Sequence, residues 1–254
     1  MNEVKFFLKF GKRSRLKNLQ DGKLFFSHAK KFRYYEDKLQ MKGQGDRLEG
    51  GMMIAAKDMA ITDNKNYRLE LAGNNSVIFR IEAASLLPVF CVFSCFEKDC
   101  VVSQSGKLSV KLSDEQKETI YSHFPKADTV AIISNPEQFI SDVQSTIGFE
   151  CKSELVHYFH LNKLDSGMNI ANDMEYYQYL MKDIPPKKEG RGKRYSLKAE
   201  HAYRSLLCKD EFFRGEQEYR FILPGIKIEE PRLFPVQLQQ KIELQDLDAF
   251  FASH

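Results

Sequence analysis

Polar and apolar residues alternate along Glu216-Gln217-Glu218-Tyr219-Arg220-Phe221-Ile222-Leu223, a run closed by Pro224-Gly225. A two-residue period is that of an extended strand, whose successive side chains point to opposite faces. It predicts Glu216, Glu218 and Arg220 on one face and Gln217, Tyr219, Phe221 and Leu223 on the other. Alternation over residues 67–71, 76–81 and 107–112 predicts further strands, and the apolar run 88–96 predicts a buried one. Gly73-Asn74-Asn75 and Ser105-Gly106 read as the turns between them. Residues 129–134 and 154–161 also read as strands.

Helices carry clearer punctuation. Leu16 and Leu19 suit one helical face that Asp21-Gly22 ends, and residues 23–27 then look extended. Ser113-Asp114-Glu115-Gln116 is a capping box, with Pro125 beyond the far end of that helix. Asn135-Pro136-Glu137-Gln138 starts another, with proline at the first helical position. Phe139, Val143 and Ile147 line its face before Gly148. A further helix is expected over residues 197–208. Residues 36–51, with Gly43, Gly45, Gly50 and Gly51, read as a loop, and residues 183–198 as an exposed basic loop. Strand clusters with helices appended, not regular alternation, predict an α+β fold with a mixed or antiparallel sheet core and peripheral helices. Residues 1–254 read as a single domain.

Composition narrows the class. The chain has 254 residues, 43% hydrophobic and 29% charged, with 20 phenylalanines and no tryptophan. That is ordinary for a globular protein with a sizeable core. Net charge is only +3, so no global field points to a nucleic-acid partner. The charge is uneven, because Lys9, Lys12, Arg13, Arg15 and Lys17 crowd the start. The apolar run 86–93 is too short to span a bilayer, and Met1–Lys5 leads into no secretory signal. The membrane is therefore not an expected partner. Cys91, Cys95, Cys100, Cys151 and Cys208 lack the paired spacing of disulfide frameworks or zinc sites. A reducing cytoplasm is the expected location, and no metal site is expected.

Two carboxylates and a guanidinium within about 7 Å along one strand could form a catalytic cluster suited to cleaving a glycosidic bond. One carboxylate would stabilise the positive charge on the sugar and the other would prepare the acceptor. The same alternation describes the wet side of a half-buried strand. The loop Gly45-Asp46-Arg47-Leu48-Glu49-Gly50-Gly51 offers backbone amides and Arg47 to a phosphate, or is a plain turn. Lys187-Lys188-Glu189-Gly190-Arg191-Gly192-Lys193-Arg194 could touch nucleic-acid phosphates or be a solvated loop. Asp46, Glu49, Glu216 and Glu218 are the acids that a metal-dependent nuclease would use.

The opening Phe10…Leu16-x-x-Leu19-x-x-Gly22-x-Leu24-x-Phe26-Ser27 resembles that of the bacterial domain-of-unknown-function family 2971. So does the closing Lys209…Phe212-Phe213-Arg214-Gly215-Glu216-Gln217-Glu218-Tyr219-Arg220. After Phe26-Ser27 the chain departs from the Asn-Asp-Pro-Phe turn of many members. The layout is also similar to ADP-ribosyltransferases, including toxins and phage-defence effectors. This resemblance implies an ADP-ribosyltransferase-like fold that takes NAD as substrate. Glu218 would be the catalytic glutamate and Glu216 the acceptor-activating residue. Ser27 would lie on the nicotinamide side, Arg220 would line the cofactor site, and Arg47 or Arg15 would meet the pyrophosphate, with Lys9 and Arg13 competing. A nucleic acid or a protein would be the acceptor, and an antitoxin a candidate partner. A non-catalytic nucleic-acid or protein binding module of the same fold is the alternative.

Overall fold

The computed structural model describes residues 3–40, 45–62, 68–103, 106–161, 170–189, 192–194 and 197–252. Gly43, Tyr67, Ser105, Gly190 and Arg191, which figure in the expectations above, lie outside these. The chain begins with β1 (Phe6–Gly11), α1 (Arg13–Gln20), β2 (Lys23–Phe26) and α2 (Ala29–Leu39). Next come β3 (Gly51–Thr62), β4 (Arg68–Arg80), β5 (Val89–Cys95), β6 (Cys100–Val102) and β7 (Leu108–Val110). Then follow α3 (Asp114–His123), β8 (Thr129–Ile133), α4 (Pro136–Thr146), β9 (Lys152–Leu155) and β10 (His157–Phe159). After α5 (Ile170–Leu180) come β11 (Lys187–Glu189), β12 (Gly192–Arg194) and β13 (Cys208–Asp210). The chain ends with β14 (Glu218–Ile222), β15 (Arg232–Pro235), β16 (Glu243–Asp246) and α6 (Leu247–Ala252). The fold is α+β, with antiparallel sheets and peripheral helices. Its contacts divide the chain into two compact units, residues 1–47, 86–156 and 212–254 in one and residues 48–85 and 157–211 in the other.

The first unit is built on a six-stranded sheet, ordered β16-β8-β1-β5-β14-β9, with every neighbouring pair antiparallel. Alternation along each strand divides the residues between two faces. Phe7, Phe90, Val92, Ala131, Ile133 and Phe221 occupy the first face. Leu16 and Leu19 of α1, Leu24 and Phe26 of β2, Phe139 and Val143 of α4 and Phe234 of β15 cover it. Leu8, Phe10, Phe93, Cys95 and Val130 belong to the second face. Val110 of β7, Ile120 of α3 and Leu247, Phe250 and Phe251 of α6 pack there. Burying a phenylalanine or leucine contributes roughly 1.5–3 kcal/mol, so both layers stabilise the sheet.

The caps of α3 and α4 match expectation. Ser113 Oγ accepts from Gln116 N–H while Gln116 Oε1 accepts from Ser113 N–H, and Asn135 Oδ1 accepts from Gln138 N–H. The expected loop over residues 36–51 is corrected at its start, because α2 runs to Leu39. Its cap is His28, whose Nδ1 accepts from Lys31 N–H at 3.1 Å.

In the second unit β3 and β4 form one long hairpin with a register shift between Lys57 and Met59. Gly73 (φ +83°) and its two asparagines lie inside β4, not at the expected turn. The expected strand over 154–161 is two strands, β9 and β10, and β10 pairs in parallel with β13. The basic segment expected as a loop contains the ladder β11–β12. The helix expected over 197–208 is a 3₁₀ helix, Ala199–Leu207. Leu48, Met52, Met53, Leu161, Tyr176, Leu180 and Cys208 form this unit's core. No described helix is long and apolar enough to cross a membrane.

Candidate functional site

Strand β14 places Tyr219 and Phe221 against the first face of the sheet, so Glu218 and Arg220 project from the second. Glu218 stands opposite Phe93 of β5, and Arg220 stands between Cys91 of β5 and Glu154 of β9. Arg220 Nε donates to Glu218 Oε1 and Nη2 to Oε2, both at 3.0 Å. This fork holds the carboxylate in one orientation. Arg220 is 1% and Glu218 7% exposed, so the strand's polar side is not a wet surface. Burial keeps the Cys91 thiol protonated by raising its pKa, and the Glu218 charge and a hydrogen bond to Glu218 add to the effect. Cys91 is thus a neutral neighbour of the carboxylate and not a resting thiolate nucleophile.

The expected pairing of Glu216 with Glu218 on one strand face is corrected. Gln217 adopts a left-handed φ of +41°, which breaks the two-residue alternation before β14 begins. Its side-chain amide donates to Ser94 O at 2.8 Å and to Asp99 Oδ2 at 2.9 Å. Its carbonyl accepts from Ser94 N–H at 2.8 Å. Glu216 ends the preceding 3₁₀ turn, and its Oε1 lies 2.7 Å from Nδ1 of His123, the last residue of α3. Both partners are buried. The His123 ring stacks on Phe212 and meets the edge of Phe213.

The other expected cofactor residues stand apart from this pair. Ser27 N–H and C=O bridge to Val89 at 2.9 and 2.8 Å. Val89 is opposite Ile222, four residues along the ladder from the Glu218 row, or roughly 13 Å. Arg15 is exposed on α1, whose Leu16 and Leu19 pack on the first face, the side away from Glu218. Arg47 turns onto α2, where its N–H donates to Glu36 Oε2 at 2.8 Å and its Nε lies 4.0 Å from Oε1.

The glycine loop directs its first amides at α2. Asp46 N–H donates to Phe32 O at 3.3 Å. A Cβ at Gly45 would lie 2.4 Å from Glu36 N and 2.7 Å from Phe32 O, so glycine is required for the loop to close on the helix. Among the described residues no group of three His, Cys, Asp or Glu side chains is placed to hold a metal ion.

Comparison with protein-family models, curated proteins and solved structures gives no match.

His123, Asp99 and Cys91 were not among the expected site residues. Nothing local in the sequence pairs His123 with Glu216, which is 93 positions away. Asp99 follows an apolar run and reads as an ordinary turn residue, although its carboxylate also accepts from Phe96 N–H and from the Gln116 side chain. Cys91 had a signal, its place in that apolar run, which fits a buried thiol.

Proposed function

We propose that the protein is an NAD-dependent ADP-ribosyltransferase-like enzyme with Glu218 as its catalytic carboxylate. The observation that carries this reading is the Glu218–Arg220 pair, retained with almost no exposure on a strand whose other face, Tyr219 and Phe221, packs on the aromatic core. Burying two charges costs several kcal/mol each even when they are paired, and apolar residues of similar volume would often serve stability as well. Perturbed and buried charges concentrate at functional sites for that reason.

On this reading the bond between nicotinamide and its ribose breaks. Glu218 accepts a hydrogen bond from the ribose 2′-hydroxyl and stabilises positive charge developing on the sugar, as carboxylates do in glycosyl transfer. Arg220 holds the carboxylate in one orientation through both oxygens. Glu216, held by His123, is positioned by α3 and not by the strand, so a role in preparing the acceptor requires His123 to share it. Ser27, Arg15 and Arg47 do not converge on Glu218 in this structure, so the nicotinamide-side contact expected of Ser27 and the pyrophosphate contact expected of Arg15 or Arg47 would need other residues. A cytoplasmic toxin or phage-defence effector with a nucleic-acid or protein acceptor is the biological form this activity would take.

The test is nicotinamide release from NAD by purified wild type and Glu218→Gln, with cellular nucleic acid and protein supplied as acceptors. The substitution keeps the shape but removes one of the two acceptors and leaves Arg220 without its counter-charge. Turnover should therefore be lost and the unfolding midpoint should fall, and circular dichroism at the assay temperature checks that the variant is folded. Turnover retained by the folded variant removes Glu218 from the role.

One observation favours a second reading, a non-catalytic binding module. Both Glu218 oxygens already accept from Arg220, as in a pair kept for structure. That reading expects no NAD turnover with any acceptor.

A further inference from the structure

Between Glu3 and Asp21 the sequence holds no acid, and Lys12, Arg13, Arg15 and Lys17 fall within and just before α1. All four side chains are exposed. Among the described residues none of the four cationic groups has a carboxylate at ion-pair distance, whereas Lys5, Lys117, Lys152 and Lys198 each do. Asp128 sits at the start of α1, accepting from Arg13 N–H at 2.7 Å and from the Thr129 hydroxyl at 2.8 Å, and it feels the Lys12 charge without reaching ion-pair distance. Those two bonds hold its carboxyl below the ordinary range. Exposed cations on a helix are commonly offset by acids one turn away, and α1 has no acid in its first turn.

The neighbouring strand adds a different chemistry on the same side. Leu16 and Leu19 of α1 and Leu24 and Phe26 of β2 enter the same core on the first face of the sheet. The opposite sides of both elements therefore face outward together. On β2 that outward side carries Lys23 and Phe25, and Phe25 is 55% exposed beside its cross-strand partner Leu233, itself 41% exposed.

We propose that this surface, α1 with the outward side of β2 and β15, binds single-stranded nucleic acid. Lys12, Arg13, Arg15, Lys17 and Lys23 take backbone phosphates, and Phe25 offers its ring to a base. Exposed cations next to an exposed aromatic ring are the two components of sequence-tolerant single-strand binding. A duplex keeps its bases stacked and cannot use Phe25. An anionic membrane is a poorer fit, because an interfacial helix presents its apolar face to lipid and the leucines of α1 are buried. The surface lies on the side of the sheet away from Glu218, so it stands independently of the NAD reading.

The test is fluorescence anisotropy of the full chain, without NAD, on labelled oligothymidylate and oligouridylate about 20 nucleotides long and on a duplex of equal length. Arg13→Gln/Arg15→Gln/Lys17→Gln keeps helix propensity and should weaken single-strand binding roughly tenfold or more at low salt. It should also flatten the plot of log K against log salt by about 2, at about 0.7 per lost phosphate contact. Phe25→Ala should cost about tenfold on single strands, leave the salt slope unchanged and leave duplex binding alone. Equal affinity and salt slope for wild type and the triple variant overturn the proposal. So does preferred capture by vesicles of equal parts phosphatidylserine and phosphatidylcholine. Circular dichroism of each variant separates lost binding from lost fold, and because NAD is absent either reading can fail alone.

Discussion

The two faces of the six-stranded sheet are made by the same strands, yet at β14 they carry opposite kinds of residue. On the first, Phe221 meets Phe90, Phe139 and Phe7 with ring centroids 5.6–6.4 Å apart, mixing edge-on and tilted contacts. On the second, one residue away in either direction, Glu218 and Arg220 form a bidentate ion pair with a protonated thiol beside it. Elsewhere the second face is as apolar as the first, with Leu8, Phe10, Phe93 and Val130 buried. The difference is therefore local to the β14 end and does not belong to the layer as a whole. Packing explains the first face completely. It does not explain why a costly ionic pair sits where a leucine pair would fit, and that excess is what makes the second face a candidate for chemistry.

Substitutions should separate the two faces. Phe221→Ala removes a fully buried ring from a cluster that has little room to collapse, and should cost about 3–5 kcal/mol. The urea midpoint should fall with an unchanged slope. A cost under about 1 kcal/mol would mean that the first face is not the close-packed side. Arg220→Met should cost about 3 kcal/mol, because Glu218 would keep its charge in a buried place with its main partner gone. Adding Glu218→Gln to Arg220→Met should recover most of that loss, since the uncompensated charge is then removed. This double-mutant cycle tests the comparison directly. Additive costs would mean that the two groups do not depend on each other.

Much of the sheet and little of the site were legible in the sequence. The capping box of α3 and the Asn135-Pro136 start of α4 are local patterns, and the structure keeps both. The alternation of β14 correctly put Tyr219 and Phe221 opposite Glu218 and Arg220. It failed at Glu216, because a strand period holds only while the backbone stays extended and Gln217 leaves that region at φ +41°. Gly73-Asn74-Asn75 has turn composition but sits inside β4, where Gly73 keeps its positive φ at the register shift opposite Lys57–Met59 and does not reverse the chain. The placement of Arg15 and Arg47 depended on which face α1 covers and on what closes over Gly45, both long-range matters that spacing does not encode.

Helix α2 was missed for a chemical reason that gives the smallest effect. A search for an N-cap looks for Ser, Thr, Asp or Asn, and here the cap is His28. Its Nδ1 accepts from Lys31 N–H while Nε2 lies 3.2 Å from Glu229 O. That pattern requires the neutral ring with its proton on Nε2. Burial lowers the His28 pKa below the ordinary 6.5, with Lys30 and Lys31 pushing the same way and the Glu229 carbonyl and Glu230 opposing. A histidine depressed in the folded state binds fewer protons there than in the unfolded chain. Its contribution is therefore complete above about pH 6.5 and falls as the pH drops below that value toward the folded pKa. His28→Asn supplies a capping oxygen that does not titrate. The variant should match wild type within about 0.5 kcal/mol at pH 7.5 and gain on it by up to about 1 kcal/mol at pH 5. Urea unfolding of both proteins across that range is the measurement. Parallel profiles would show that the ring's protonation does not govern the α2 cap.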